Sequence, residues 1–155
     1  MITLDPAMES QALSKPALSR FATSARRAIG LPGEVDILLS TDAELKRLNR
    51  AFRGKNKPTD VLSFPAPAEI GRRHAGDLAI SVETAARQAE SFGHTLADEL
   101  RILILHGLLH LNGMDHETDQ GQMAAREAEL RAQLRLPATL IERVHHPAPK
   151  PRRRA

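Results

Sequence analysis

The sequence predicts an α/β (α+β) fold: a small mixed β-sheet packed with helices, one of which carries a set of metal ligands. Two observations lead there. Short apolar runs bounded by turn residues alternate along the chain with stretches of helical spacing. The segment His106–His116, HGLLHLNGMDH, sets three imidazoles where one metal ion can be held. Size adds a bound, because 155 residues are one domain's worth, enough for a single core and too few for two.

Taken in order, Ile2 to Leu4 reads as a short strand. Ala17 to Ile29 follows with helical spacing at Leu18, Phe21, Ala25 and Ile29, and Gly30 with Pro32 stops it. Val35 to Leu39 is a buried strand. Ser40, Thr41 and Asp42 offer N-cap oxygens for a helix through Leu45, Leu48 and Phe52, with Glu44 near its positive end. RGKNKPTD, Arg53 to Asp60, is a basic, turn-rich loop in which Asp60 is a turn or cap residue. Val61 to Phe64 gives a strand ended by Pro65 and Pro67. After a loop with Arg72, Arg73 and His74, Asp77 to Ser81 gives another.

Val82 to Phe92 is an Ala-rich helix broken by Gly93. Thr95 then caps the helix Leu96 to Asn112, with Asp98 and Glu99 in its first turn. Leu96, Leu100, Leu103, Ile104, Leu108 and Leu111 recur at helical intervals, so one face is buried while the other presents His106 and His110. Thr118 to Leu134 is the last helix, with Met123, Leu130 and Leu134 inside. Residues 1–144 are read as one domain and residues 145–155, HHPAPKPRRRA, as a basic, Pro-rich tail without fixed structure.

Composition removes several classes. Without Cys there is neither a disulfide framework nor a thiolate metal site. No apolar run is long enough to span a membrane, and the start, MITLDPAMES, is unlike a signal peptide, so a soluble, cytoplasmic protein is expected. Of the net charge of +3, Lys150, Arg152, Arg153 and Arg154 supply more than the whole. The basicity is therefore local, and any hold on nucleic acid comes from the tail and particular loops. There is no Trp or Tyr, and Phe21, Phe52, Phe64 and Phe92 sit in apolar settings that read as core rather than as a stacking platform for bases.

His106 and His110 are four apart, which on a helix places both rings on one face. Gly113 can take positive φ and turn the chain back, so that His116 closes the site as third ligand. The spacing is that of the metzincin proteases, H-E-x-x-H-x-x-G-x-x-H, except that residue 107 is Gly where those enzymes carry their general base. The metal cage is kept and the peptidase base is lost. Three neutral His ligands with an open position suit one Zn²⁺ per chain, with Ni²⁺, Co²⁺ and Mn²⁺ as chemical alternatives. His74, His94, His145 and His146 lack ligand spacing and read as surface or loop residues.

Three segments, LNRAFRGKNKPTDVLSFP (Leu48 to Pro65), GDLAIS (Gly76 to Ser81) and HGLLHLNGMDH, occur in that order and at separations that resemble the YbeY family of bacterial rRNA maturation factors. The resemblance implies a small α/β metalloprotein, a single-strand-specific endoribonuclease acting in 16S rRNA 3′-end maturation and ribosome quality control, with zinc as cofactor. Its metal ligands would be His106, His110 and His116, and Arg53 would belong to the active cleft. Its partners would be rRNA and the 30S ribosomal precursor, and beyond them a ribosomal protein and an assembly GTPase. Met114 stands where members often have Tyr, a packing change. The first thirty residues and the basic tail lie outside this likeness.

The chemistry can be argued beside it. Phosphodiester cleavage gathers negative charge on phosphoryl oxygens, so a site needs a Lewis acid, a cation, or both. Arg53 is the candidate catalytic and phosphate-gripping residue, with Lys55 and Lys57 guiding substrate. Asp115, beside a ligand, reads as a second-sphere group holding an imidazole tautomer. The proton-transfer group is open among Asp115, Glu117, Asp77 and Asp119, with attack by the RNA 2′-hydroxyl as a further route. Two rival functions are a non-catalytic ribosome-assembly factor with a structural metal, and a metallopeptidase, which Gly107 opposes.

Overall fold

A computed structural model describes residues 1–11, 13–67 and 73–145; Arg72 and the basic tail from His146 lie outside the described residues. The elements are β1 (Ile2–Leu4), α1 (Lys15–Ile29), β2 (Glu34–Ser40), α2 (Asp42–Arg53), β3 (Val61–Pro65), β4 (His74–Ser81), α3 (Val82–Phe92), α4 (Leu96–Leu111), α5 (Gln122–Leu134) and α6 (Leu140–His145). One sheet has the order β1-β2-β4-β3. Its first three members run parallel and β3 is antiparallel to β4, which is the mixed sheet predicted.

Period-two alternation decides what covers each face. Ile37, Leu39, Leu78 and Ile80 enter the large core with α1, α3 and α4, whereas Leu62 and Ala79 point the other way, onto Leu45 of α2. Arg53, the last residue of α2, is thereby brought to the β3 edge of the sheet.

α4 differs from its expected one-sided burial. Every residue from Ile102 to Leu109 is buried, because apolar side chains occur on all sides of this helix and the sheet, α1, α3, α5 and α6 surround it. Leu100, Ile102, Leu103, Ile104, Leu105 and Leu108 are among the largest fully buried side chains, each worth about 1.5–3 kcal/mol of apolar burial. A helix anchored this firmly is a rigid carrier for the imidazoles near its end.

Other boundaries moved for local reasons. β4 begins at His74 rather than Asp77. The register skips Ala75 opposite Glu34–Val35, and Gly76, at φ 152°, lets the strand continue where a Cβ would run into the carbonyl oxygen of Phe64. His74 is therefore a strand residue, not a loop one. α5 starts at Gln122 rather than Thr118, because the Asp119 carboxylate accepts the N–H groups of Gly121 (2.9 Å) and Met123 (2.8 Å) just before it.

Sequence spacing missed α6. It is held by Arg143, whose guanidinium donates to both carboxylate oxygens of fully buried Glu99 at 2.6 and 2.7 Å and lies over the Phe92 ring. Phe52 is the other correction: it is 68% exposed and not a core residue.

Candidate metal centre and cleft

α4 carries His106 and His110 on successive turns, His106 buried and His110 half-buried. Asn112 ends the helix and Gly113, at φ 86°, turns the chain, with Met114 donating its N–H to the Leu109 carbonyl at 3.1 Å. Met114 packs against the main core and so anchors the turn. The Asp115 carboxylate accepts the Glu117 N–H at 3.0 Å, and its carbonyl accepts those of Thr118 and Asp119. His116 is thereby swung back over the helix end, its ring 5.2 Å from that of His106 and 5.6 Å from that of His110, centroid to centroid.

The donor set fits a metal ion. One nitrogen from each of the three rings lies within 4.8 Å of the others, and the Nε2 atoms of His106 and His110 are 3.1 Å apart. A tetrahedral ion with bonds of about 2.0–2.1 Å sets its ligand nitrogens about 3.3 Å apart. Nδ1 of His116 is buried without a hydrogen-bond partner among the described residues. Burial, and then the neighbouring His106 and His116, push the His110 pKa below its ordinary value. The ring is thus kept neutral with a lone pair to offer.

Sequence reasoning missed Glu127. This buried α5 carboxylate meets Nδ1 of His106 at 2.7 Å and accepts the Ile141 N–H on its other oxygen at 3.2 Å. With Nδ1 engaged by this carboxylate, Nε2 is the His106 nitrogen that faces the other rings. The signal was present in the sequence: Glu127 shares the inner face of its helix with Met123 and Leu130, where an acid needs a partner.

A cavity of about 520 Å³ opens over the histidines and is lined also by Arg53, Asp60, Ser63, Asp115 and Glu117. Arg53 thus shares a cleft with the three rings, and it makes no ion pair among the described residues. Lys55 and Lys57 are exposed and do not line the cavity. Asp115 lines it, but its described hydrogen bond is to backbone; the carboxylate bonded to a ligand imidazole is that of Glu127. Of the four candidate proton-transfer groups, Asp115 and Glu117 lie in this cleft. Asp77 is elsewhere, beside His74, and Asp119 is taken up by the N–H groups of Gly121 and Met123 at the start of α5, which hold its pKa low.

Gly107 packs against the sheet. A Cβ there would stand 2.8 Å from a methyl of buried Leu78 and 3.3 Å from Oγ of Ser63, whose hydroxyl donates to the Gly107 carbonyl at 3.2 Å. The chain has no space for the glutamate that the protease spacing carries at this position.

Fold and site together define a small mixed-sheet α/β protein whose central helix brings a three-histidine group, able to hold a metal ion, to the floor of a cleft. The family model of endoribonuclease YbeY matches residues 5–135, and the chain belongs to that family. Endoribonuclease YbeY of Koribacter versatilis is 54% identical over 142 residues, which cover 92% of this chain and 91% of that one. Its counterpart from Solibacter usitatus is 52% identical over 132 residues, 85% and 87% of the two chains. The solution structure of a Thermotoga maritima protein superposes with a TM-score of 0.54 at 28% identity, covering 99% of this chain and 100% of that one. The match begins at residue 5, so residues 5–30, outside the motif-based likeness, fall within the family's region as well.

Proposed function

We propose that the protein is a metal-dependent endoribonuclease that cuts single-stranded RNA and acts in 16S rRNA 3′-end maturation and ribosome quality control. The observation that carries this reading is the meeting, in one cleft, of three imidazoles and Arg53, a cation without an ion pair among the described residues. His106, His110 and His116 would hold one Zn²⁺, which supplies Lewis acidity toward a phosphoryl oxygen when bound. Arg53 grips the scissile phosphate through its planar fork and stabilises the charge that develops there. Glu127 holds His106 in the tautomer that offers Nε2. Lys55 and Lys57 attract the flanking backbone from solvent, and Asp115 or Glu117 is in reach of the cleft to move a proton. The RNA and the 30S precursor are the partners, in the cytoplasm; a ribosomal protein and an assembly GTPase would meet the enzyme there.

The test is cleavage of a labelled single-stranded RNA and of its duplex by protein of measured metal content, beside His110→Ala purified identically. Cutting of the single strand alone, lost in the variant, is expected. No cutting by a folded, metal-loaded protein would favour an assembly factor with a structural metal instead.

A further inference from the structure

One aromatic ring of this protein stands out in solvent at the end of the helix that delivers Arg53 to the cleft. α2 carries an apolar stripe at helical spacing, Leu45, Leu48 and Phe52, of which Leu45 and Leu48 pack over the sheet with Leu62 and Ala79. At Phe52 the stripe outruns its floor. The described aromatic neighbour is Phe64 of the edge strand, edge-to-face with centroids 5.3 Å apart, and the ring keeps 68% of its surface exposed. A lone exposed apolar side chain is ordinary; the setting of this one is not. Arg53, the next residue, lines the cleft over the histidines. Lys46, Arg50 and Arg53 follow one another on successive turns, Lys55 and Lys57 come next, and all five are exposed without an ion pair among the described residues. The loop is pinned: the Asn49 amide donates to the Lys57 carbonyl at 2.9 Å and Lys55 N–H to the Asn49 carbonyl at 3.3 Å.

We propose that Phe52 is a stacking platform for one base of a single-stranded RNA, adjacent to the nucleotide whose phosphate Arg53 holds. The inference rests on the reading of the cleft as a ribonuclease site and deepens it. The row of cations that runs along the helix beside the ring matches a polyanion, and a ring face accepts any base, so the subsite is tolerant of sequence. It also discriminates strandedness, since the bases of a duplex are already stacked inside and cannot reach the ring. The groove that Phe64 also lines carries Asp36 and Asp77, a poorer lining for a polyanion than the side on which Arg53 enters the cleft.

The test uses zinc-loaded full-length protein and steady-state cleavage of a labelled single-stranded RNA. Phe52→Ala is expected to raise KM about tenfold, with kcat and the slope of log KM against log salt little changed, because the ring neutralises no phosphate. Phe52→Trp should restore KM, and Phe52→Leu, apolar but not aromatic, should not. An abasic nucleotide beside the cut should raise KM for the wild type and add nothing further in Phe52→Ala. If the wild type cuts the RNA and neither Phe52→Ala nor the abasic substrate changes KM, the platform is overturned while the ribonuclease stands. A Phe52→Ala defect seen with ribosomal particles and absent with naked RNA would overturn it in favour of a protein contact. A wild type that cuts no single strand overturns both.

Discussion

Each imidazole of the cleft must present the right nitrogen, and for His106 that choice is made by a residue outside the motif. The Glu127 carboxylate meets Nδ1 at 2.7 Å, and the Ile141 N–H anchors its second oxygen. Glu127→Gln keeps the shape but can present an amide N–H to Nδ1, which favours the wrong tautomer. Metal affinity, read by competition with a chromogenic chelator, should fall about 10–100-fold, with thermal stability of the metal-free protein little changed. Unchanged affinity would show that His106 is oriented by its burial alone. The histidine group itself was legible in the sequence because its spacing is local: four residues on a helix, then a glycine, then three more. Glu127 was legible only in part: its spacing with Met123 and Leu130 puts it on the inner face of α5, but nothing in that spacing names His106, twenty-one residues away, as its partner. Phe52 was misread for the opposite reason. Its spacing with Leu45 and Leu48 is correct, but spacing carries no information on where the sheet beneath ends.

The helix that delivers Arg53 is fastened at its other end, and there its hold can be tested. Asp42, at the start of α2, accepts hydrogen bonds from Ser81 Oγ (2.5 Å), Thr84 Oγ1 (2.6 Å) and Arg87 (2.8 Å), while its own N–H donates to Glu83 at 2.8 Å. Burial pushes the Asp42 carboxyl up, but these hydrogen bonds and the Arg87 charge outweigh it and hold the pKa below the ordinary value. A lowered folded-state pKa stabilises the protein above the unfolded value of about 3.9 and loses that contribution as pH falls through the folded value. Asp42→Ala should therefore cost about 1–3 kcal/mol at neutral pH, measured by urea unfolding. The loss should shrink below about pH 4 as the wild-type carboxyl takes up its proton. A pH-independent cost would instead assign the effect to packing. The elements at this junction were readable because each has its own punctuation: Thr41 caps α2 as expected, and Ser81, where β4 ends, caps α3. α6 has too short a pattern for that. What fixes it is a buried ion pair to Glu99, a contact between residues far apart in the chain.

Over the whole molecule, charge is distributed unevenly. Apart from the tail the chain is slightly acidic, and its carboxylates Asp36 and Asp77 face away from the cleft. Lys46, Arg50, Arg53, Lys55 and Lys57 then form a small cationic area in a surface that is otherwise net acidic, so a long RNA should be held through few phosphates by the domain alone. Lys150, Arg152, Arg153 and Arg154 lie beyond the described residues, yet as a cationic segment following α6 they can pair with phosphates wherever the chain reaches. Removing residues 146–155 should weaken binding of single-stranded RNA at low salt. It should also flatten the salt dependence, by about 0.7 in log K per log salt for each phosphate that the tail neutralises in the full chain. Cleavage of a short oligonucleotide at saturating concentration should stay unchanged, because the described lining of the cleft comes from residues 53–140. Anisotropy titrations of a long and a short RNA over a range of salt concentrations separate these effects. Equal slopes for the full and shortened chains would mean that the tail holds no phosphate and that the domain's own cations carry the whole electrostatic attraction.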